Sequence, residues 1–260
     1  MPELLGIETS LEACGYSSRI KIDGAEATDA LGQVICQSSI RFQANDGTEK
    51  TFDTLDLSLQ LTPETIEPIF SGAAWAGTVL WRAAVSLIDV ALLTQPFAAG
   101  STVIELGCGL GVPGMVCAQL NASLVVLTEQ ENLVDLANRN VDNNFQDRSK
   151  IICRELDWSA ERATDLRDDL LDGKPFDLII CCDCVYIPLY GDSWKYLVEA
   201  IDALGGPDSK ILIAVERRFV RGATDGVDLF MHAMASKGFQ TTMTFPTEKP
   251  LEIYEFQRRQ

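Results

Sequence analysis

A glycine-rich segment carries the clearest chemistry in this sequence. The run ELGCGLG, from Glu105 to Gly111, follows a short apolar stretch and precedes a segment with a helical pattern. Glycines at alternate positions let the backbone turn tightly and approach a ligand, and the N–H groups at a helix start point towards that ligand. A purely structural turn is the weaker interpretation when strand, glycines and helix coincide. The segment therefore predicts a site for a nucleotide-like ligand.

Two classes of ligand fit this turn. Residues Gly109 to Gly114 also match the G-x-G-x-x-G dinucleotide pattern, and Glu129, at the end of the next predicted strand, could accept hydrogen bonds from a ribose in either case. Glu105 favours a cation, since we expect its carboxylate inside the ligand crevice, where it would repel pyrophosphate. S-adenosylmethionine carries a sulfonium and an ammonium group and no phosphate. The single histidine, His232, lies far downstream and offers no hydride-transfer site.

The composition limits the class of partner. The 260 residues include 38 acidic and 21 basic side chains, which gives a formal net charge of −17. Because nucleic-acid affinity comes largely from Lys and Arg, this charge argues against a nucleic-acid partner. The hydrophobic fraction of 47% is enough for a buried core. The most apolar helical stretch, Ala83 to Leu93, contains Asp89 and is far shorter than the ~20 residues that span a bilayer, so no membrane partner is expected.

The start of the sequence and its cysteines bear on location. The first ten residues include Glu3 and Glu8 and have no basic segment, which argues against a secretory signal. The 8 cysteines are therefore expected to be reduced thiols in the cytoplasm. The C-x-x-C spacing of Cys181 and Cys184 could suggest metal or redox work, but no second pair completes such a site. We expect these thiols to be buried, and no metal to take part.

The elements that must position the glycine turn alternate between strand and helix. Residues 1–70 mix β-like runs with turn formers, including Asn45-Asp46-Gly47 between Ile40–Phe42 and Thr51–Phe52, which predicts a hairpin within an N-terminal β extension. After a predicted helix over 75–93, strands are predicted at 102–106, 124–128, 150–153, 177–182, 210–215, 240–245 and 251–256. Helices are predicted at 113–120, 131–143, 190–204 and 227–237. This order predicts an α/β protein whose mostly parallel sheet ends in an antiparallel hairpin.

Several colinear segments carry a family resemblance. They are GTVLWRAAVSL (77–87), VIELGCGLGVPGMVCA (103–118), LVVLTEQ (124–130), LDW (156–158), IICCDCVY (179–186) and LEIYEFQRR (251–259). Together they resemble the methyltransferase-like 21 family of class I protein-lysine N-methyltransferases. The resemblance implies a Rossmann-like, seven-stranded methyltransferase domain over residues 71–260, with S-adenosyl-L-methionine as cofactor. It also implies methyl transfer to a lysine of a cytosolic non-histone protein of the chaperone or translation-factor type.

The resemblance also assigns site residues. Asp183 and Tyr186 fall on the family's D-x-x-Y motif and are the predicted catalytic pair, facing the substrate. Glu129 matches the ribose-binding acid, and Asp157 with Trp158 matches the adenine-contacting pair. The full set of predicted cofactor-binding residues is Trp81, Glu105, Gly107, Gly109, Gly111, Glu129, Asp157, Trp158 and Cys182. The chain departs from the pattern at Arg82, where relatives often carry an acid, and at Glu129, where many carry Asp.

Other interpretations stay open on the sequence alone. Trp81 on an amphipathic helix is more often a core residue than a ligand wall. A methyltransferase acting on a small molecule would share the same cofactor half. An enzyme acting on a nucleic-acid amine would place two prolines where this chain has Cys184-Val185. A cofactor-binding interaction protein without turnover is a further alternative. The sequence does not identify the substrate, and a monomer is the favoured oligomeric state.

Overall fold

The computed structural model describes residues 20–28, 34–42, 55–60, 73–78, 80–93 and 97–259. Three strands come first: β1 (Ile20–Thr28), β2 (Val34–Phe42) and β3 (Leu55–Gln60) form an antiparallel sheet in that order. β2 is antiparallel to β3, with Ile40 opposite Leu55 and Ile35 opposite Gln60, while the predicted pairing of Ile40–Phe42 with Thr51–Phe52 stays a prediction. The turn Asn45-Asp46-Gly47 and the run Thr51-Phe52 lie outside the described residues.

The predicted seven-stranded sheet is confirmed. Its strands are β4 (Thr102–Leu106), β5 (Leu124–Glu129), β6 (Ile151–Glu155), β7 (Phe176–Cys182), β8 (Gly205–Glu216), β9 (Phe239–Phe245) and β10 (Leu251–Arg258). They lie in the order β6-β5-β4-β7-β8-β10-β9. The pairs from β6 to β8 are parallel, while β10 is antiparallel to both β8 and β9. The carboxyl ends of the parallel strands therefore share one edge of the sheet, and the C-terminal hairpin is present as predicted.

Helices cover both faces of this sheet. They are α1 (Arg82–Leu87), α2 (Val112–Gln119), α3 (Glu131–Asn144), α4 (Ala160–Leu171), α5 (Ile187–Tyr190), α6 (Ser193–Leu204) and α7 (Val227–Ser236). Successive residues of β4 alternate between two buried clusters: Val103 packs with α1, α2 and α3, while Ile104 packs with α4, α6 and α7. Near α3 also lie β3 and a 3₁₀ helix at Ala73–Thr78. None of the helices in these described ranges has the length and hydropathy that crossing a membrane requires.

Two predicted helices are interrupted near the carboxyl edge of the sheet. The helix predicted over 75–93 consists of the 3₁₀ helix, an extended residue Trp81 (φ −79°, ψ 146°), α1 and a π turn at Ile88–Leu92. The helix predicted from Tyr190 instead begins at Ser193, because Gly191 adopts φ 57°, ψ −132° and separates it from the short α5. In both places the sequence keeps a helical spacing of apolar residues although the backbone leaves the helix. Both interruptions lie beside the cavity described in the next section.

Candidate functional site

The glycine turn between β4 and α2 requires glycine at two positions. Gly107 adopts φ +61°, and a Cβ there would lie 2.9 Å from Cys184 Sγ and 3.0 Å from the Trp158 ring. Gly109 adopts φ +52°, and its Cβ would lie 2.9 Å from the Gly77 carbonyl oxygen. Any other residue would be strained at these φ values and would also collide with its neighbours. The predicted strand–turn–helix arrangement is present, and at these two glycines no side chain covers the backbone.

Glu129 joins this turn to the end of β5. Its Oε2 accepts a hydrogen bond from the Gly109 N–H at 2.9 Å, and its Oε1 accepts one from the Gln130 N–H at 2.9 Å. Burial raises the pKa of the Glu129 carboxyl above its ordinary value, against the effect of these two backbone donors. The carboxylate lies on the wall of a cavity and keeps lone pairs that could accept further hydrogen bonds.

Glu105 does not face the ligand, and this expectation from the sequence is wrong. Its side chain is 1% exposed, is absent from the cavity wall, and accepts a hydrogen bond from the Gly114 N–H of α2 at 2.7 Å. Burial raises the pKa of Glu105 to about 8, so the group is mostly neutral at pH 7. Both faces of β4 are buried, and alternation along the strand turns residue 105 towards the α2 side. Glu105 therefore supports the turn from beneath and cannot supply the charge that selects the ligand.

A cavity of about 330 Å³ opens at the carboxyl edge of the sheet. This volume lies in the range of small-molecule sites, roughly 300–1,000 Å³. Its wall is formed by Ala76, Gly77, Trp81, Gly107, Glu129, Gln130, Leu133, Leu156, Asp157, Trp158, Cys182, Asp183, Cys184, Leu189, Tyr190, Ser193 and Tyr196. Among these wall residues three are acidic and none is Lys or Arg. Two of the three acids are paired with arginines outside this wall, Asp157 with Arg162 at 3.1 Å and Asp183 with Arg218.

The structure brings most of the predicted site residues to this wall. Trp81, Gly107, Glu129, Asp157, Trp158, Cys182 and Asp183 line the cavity, whereas Glu105, Gly109, Gly111 and Tyr186 do not. Gly111 instead begins α2 at φ +75°, and Gly109 acts through its bond to Glu129. The sequence analysis missed Leu133, Leu156 and the group Leu189 to Tyr196. Leu133 and Leu156 are apolar residues that follow predicted strands within a few positions, and this was the one sequence feature that could have indicated them. The α5–α6 region has no such feature.

Asp183 lies at the end of β7 in an unusual backbone conformation. It adopts φ +56°, which is uncommon outside glycine and costs about 1–2 kcal/mol, so the surrounding bonds must hold it. Its N–H donates to the Ala214 carbonyl at 2.7 Å, and its Oδ1 accepts from the Glu216 N–H at 3.1 Å. Its side chain is only 3% exposed. The carboxylate is thereby fixed between β7 and β8 at the cavity wall.

Arg218, for which the sequence offers no signal, pairs with Asp183. One guanidinium nitrogen donates to Asp183 Oδ1 at 3.0 Å, and the other forms a short contact with Oδ2. The guanidinium also lies over the Trp81 ring at 5.4 Å and the Tyr186 ring at 5.0 Å. Tyr186 thus reaches the site through Arg218 and not through the cavity wall. Trp81 is half-buried, with its indole N–H donated to the Ala76 carbonyl at 2.8 Å, so it serves as a wall as well as a packing residue.

Arg82 lies in the same group of charges. Its guanidinium is 3.5 Å from Glu216, whose other oxygen is 3.6 Å from Arg218. Glu216 thus sits between two arginines, and the positive charge that the sequence places at this rim is balanced.

The two cysteines of the cavity wall, Cys182 and Cys184, have thiols with raised pKa values. Burial raises the pKa of Cys182 well above its ordinary value, and a hydrogen bond with Cys181 together with burial does the same for Cys184. The 6 cysteines from Cys108 to Cys184 are free. Within the described part of the chain, no group of three or more His, Cys, Asp or Glu side chains is arranged to hold a metal ion. The C-x-x-C spacing therefore reflects two buried thiols packed beside the glycine turn.

Comparison with known proteins gives a consistent result. A family model described as lysine methyltransferase matches residues 70–237. Secreted RxLR effector protein 48 of Plasmopara viticola is 38% identical over 131 residues, which are 46% of this chain and 64% of that protein. Protein N-lysine methyltransferase METTL21A of Danio rerio is 31% identical over 145 residues, which are 55% of this chain and 62% of that protein. The chain thus spans slightly less than two thirds of either relative.

A solved structure agrees on the fold. Magnesium protoporphyrin IX methyltransferase of Synechocystis PCC 6803, solved with bound SAH, superposes with a TM-score of 0.51 at 17% identity over 68% of this chain and 83% of that one. At this identity the likeness concerns the fold alone, and the fold is the Rossmann-like class I methyltransferase fold that the sequence predicts. The family model covers well over half of the chain, and we conclude that this protein belongs to the lysine methyltransferase family.

Proposed function

We propose that this chain is a protein-lysine N-methyltransferase that uses S-adenosyl-L-methionine. One observation carries the choice of cofactor: the described wall of the cavity contains the acids Glu129, Asp157 and Asp183 and no basic side chain. A dinucleotide would bring two phosphates towards a wall that carries acids and no basic side chain of its own. The arginines that pair with two of these acids, Arg162 with Asp157 and Arg218 with Asp183, lie outside that wall, so Glu129 carries most of this argument. A ligand with a sulfonium and an ammonium group gains from the same field.

The wall residues fit the parts of this cofactor. Glu129 has lone pairs free for the ribose hydroxyls, next to the two backbone donors that it already binds. Gly107 lines the cavity without a side chain, so the methionine part could approach its backbone, and Trp158 beside it offers an aromatic face. Leu133 and Leu156 supply apolar surface for the adenine. When bound, S-adenosylmethionine supplies a methyl group that its positive sulfur already activates.

The protein must then hold the substrate lysine so that its amine is neutral and in line with that methyl group. A free lysine has a pKa near 10.4, so deprotonation at pH 7 costs about 4.6 kcal/mol. A cavity with little water and a nearby positive charge lowers the pKa of the amine by desolvation and repulsion. Asp183, on the wall, is placed to orient the amine through a carboxylate oxygen. Tyr186, which lies under Arg218, holds that arginine in place.

Several features support a protein substrate. The aromatic rings of Tyr196, on the cavity wall, and Phe219, which follows Arg218 in the chain, are 59% and 93% exposed. Aromatic side chains are enriched in protein interfaces. The net charge of −17 suits a basic protein surface and disfavours a polyanion. The name of the METTL21A relative supports the same substrate class. A cytosolic non-histone target, of the chaperone or translation-factor type, and a cytoplasmic location complete the proposal.

The test has two stages. Calorimetry should give saturable binding of S-adenosylmethionine and of S-adenosylhomocysteine, and no binding of NAD. Incubation of the protein with tritiated S-adenosylmethionine and cell extract should then label a band that protease removes and nuclease does not, and mass spectrometry should find a methylated lysine in it. Saturable binding of NAD alone, or label on RNA or a small metabolite, would refute the proposal. Binding without any transfer would favour a non-catalytic cofactor-binding protein.

A further inference from the structure

Arg218 balances a carboxylate that is otherwise buried. The Asp183 side chain is 3% exposed, and both of its oxygens are contacted by the Arg218 guanidinium, which is itself 23% exposed. Paired, fork-like bonds between Arg and carboxylate are the stronger kind of ion pair, and a carboxylate buried to this degree is costly without a counter-charge. The wall of the cavity thus presents Asp183 as one half of an ion pair and not as a free anion.

Arg218 is held in this position from several sides. Its guanidinium lies over the Trp81 and Tyr186 rings, at 5.4 and 5.0 Å from their centroids, and donates to the Glu216 carbonyl at 3.2 Å. Its backbone N–H donates to Asp225 Oδ2 at 3.3 Å. Cation–π contacts and these bonds fix the arginine independently of Asp183. The ion pair is therefore a fixed part of the site. Asp183 lies on the cavity wall, and Arg218 lies outside that wall.

This arrangement matters for the protonation of an incoming lysine. A free carboxylate within about 4–6 Å would stabilise the ammonium form and raise the pKa of the amine, which opposes methyl transfer. We infer that Arg218 is a positioning residue that neutralises Asp183, so that the substrate lysine is held through a hydrogen bond in its neutral, nucleophilic form. The inference rests on the proposed function. It assigns to Arg218, two residues after the end of β8, a role in setting the pH at which the lysine reacts.

Other charged and titratable groups face the pair from the elements around it. They are Glu216, Arg82, Asp225, Arg217, Tyr186, Tyr190, Cys182, Cys184 and Glu129. Glu216 is shared between Arg82 and Arg218, and Asp225 is paired with Arg217 at 3.0 Å. Burial raises the pKa of the Tyr190 hydroxyl, and the pKa values of the Cys182 and Cys184 thiols are raised as well, so these groups stay neutral across the neutral range. Burial also raises the pKa of Glu129, a group that is the same in every variant compared, so the difference between their pH–rate profiles should report on the substrate amine.

The experiment compares the pH dependence of methyl transfer for three variants and the unaltered protein. Each is incubated with tritiated S-adenosylmethionine and heat-treated cell extract, and the labelled protein band is followed from pH 6 to pH 10. Arg218→Gln removes the charge, and Arg218→Lys keeps the charge without the fork. Arg221→Gln is the matched control, since Arg221 lies exposed on the same loop and its replacement changes the net charge equally.

We expect Arg218→Gln to move the midpoint of the pH–rate profile upwards by about one to two units. Transfer at pH 7 would then fall about 10- to 100-fold and recover at pH 10, while calorimetric affinity for S-adenosylmethionine changes little. Arg218→Lys and Arg221→Gln should keep the original midpoint. A loss of rate in Arg218→Gln that is equal at every pH would mean a structural role only. A gain of rate at pH 7 would mean that the guanidinium blocks the lysine path. Either result overturns the inference, whereas failure of the unaltered protein to label any protein overturns the proposed function along with it.

Discussion

The cofactor half and the substrate half of the cavity are built in different ways. In the cofactor half, glycine backbone and the Glu129 carboxylate meet through bonds between residues only 20 positions apart. In the substrate half, Asp183 and Arg218 are 35 positions apart, and Trp81 comes from a third region of the chain. The first half is fixed by local turn geometry, whereas the second depends on how β7, β8 and the segment before α1 pack together. Substitutions should therefore separate cofactor binding from methyl transfer.

The largest effect on transfer is expected in the substrate half. Asp183→Asn keeps the shape of the side chain but leaves Arg218 only the Glu216 carboxylate that it shares with Arg82, and it weakens the acceptor for the amine. Weakening the acceptor that orients the amine, and with it the ion pair to Arg218, should lower the rate of methyl transfer about 100-fold or more. Calorimetric affinity for S-adenosylmethionine should stay within about twofold, because the bonds to Glu129 are untouched.

The control for this variant is Asp165→Asn, on the exposed face of α4. It makes the same chemical change away from the cavity and should leave transfer unaltered. Full transfer by Asp183→Asn with normal cofactor affinity would remove Asp183 from the mechanism.

The reverse pattern is expected in the cofactor half. Glu129→Gln leaves one acceptor oxygen for two backbone donors and for the ribose, so one charge-assisted bond of about 1.5–3 kcal/mol is lost. The dissociation constant for S-adenosylmethionine, measured by calorimetry, should rise roughly 10- to 100-fold, and saturating cofactor should restore most of the transfer rate. Glu131→Gln, on the exposed first turn of α3, is the matched control. Unchanged affinity in Glu129→Gln would contradict the assigned ribose contact.

The smallest effect on activity is expected beneath the cofactor half, where the change appears in stability. The folded pKa of Glu105 is about 8 against an ordinary 4.5, so the folded protein keeps a proton that the unfolded chain loses. The free energy of unfolding should therefore fall as the pH rises from 4.5 to 8, and remain low above that. Glu105→Gln removes this dependence while preserving an acceptor for the Gly114 N–H.

Denaturant unfolding at pH 5 and pH 9 tests this expectation. At pH 9 the Glu105→Gln variant should be more stable than the unaltered protein, by at most about 5 kcal/mol, and at pH 5 the two should nearly coincide. Glu161→Gln, exposed on α4, should follow the unaltered protein at both values. Parallel behaviour of Glu105→Gln and the unaltered protein would show that Glu105 is not a buried neutral acid.

The sequence predicts the sheet well because its strands are buried on both faces. Continuous apolar runs such as Leu178-Ile179-Ile180 are typical of strands buried on both faces. The glycine turn is predicted from its position directly after such a strand. For the same reason the orientation of Glu105 could not be predicted. A strand with apolar residues on both faces has no alternating pattern that shows towards which face a given side chain points.

Arg218 was beyond reach for a different reason. It lies in a loop without periodicity, and its partners Asp183, Trp81 and Tyr186 come from three other segments, so only the folded arrangement brings them together. The break at Trp81 was missed as well, because an apolar period of helical spacing continues on both sides of it.

The position of β10 has a consequence for how the protein is made. This strand lies between β8 and β9, although β9 leaves the ribosome first. Until β10 is synthesised, β9 has no hydrogen-bonding neighbour in the sheet, and an unpaired edge of this kind invites aggregation. The Arg217 N–H, at the base of the loop that carries Arg218, also donates to the Pro250 carbonyl just before β10 at 2.8 Å. The loop that carries Arg218 can therefore reach its final position only after β10 has been synthesised.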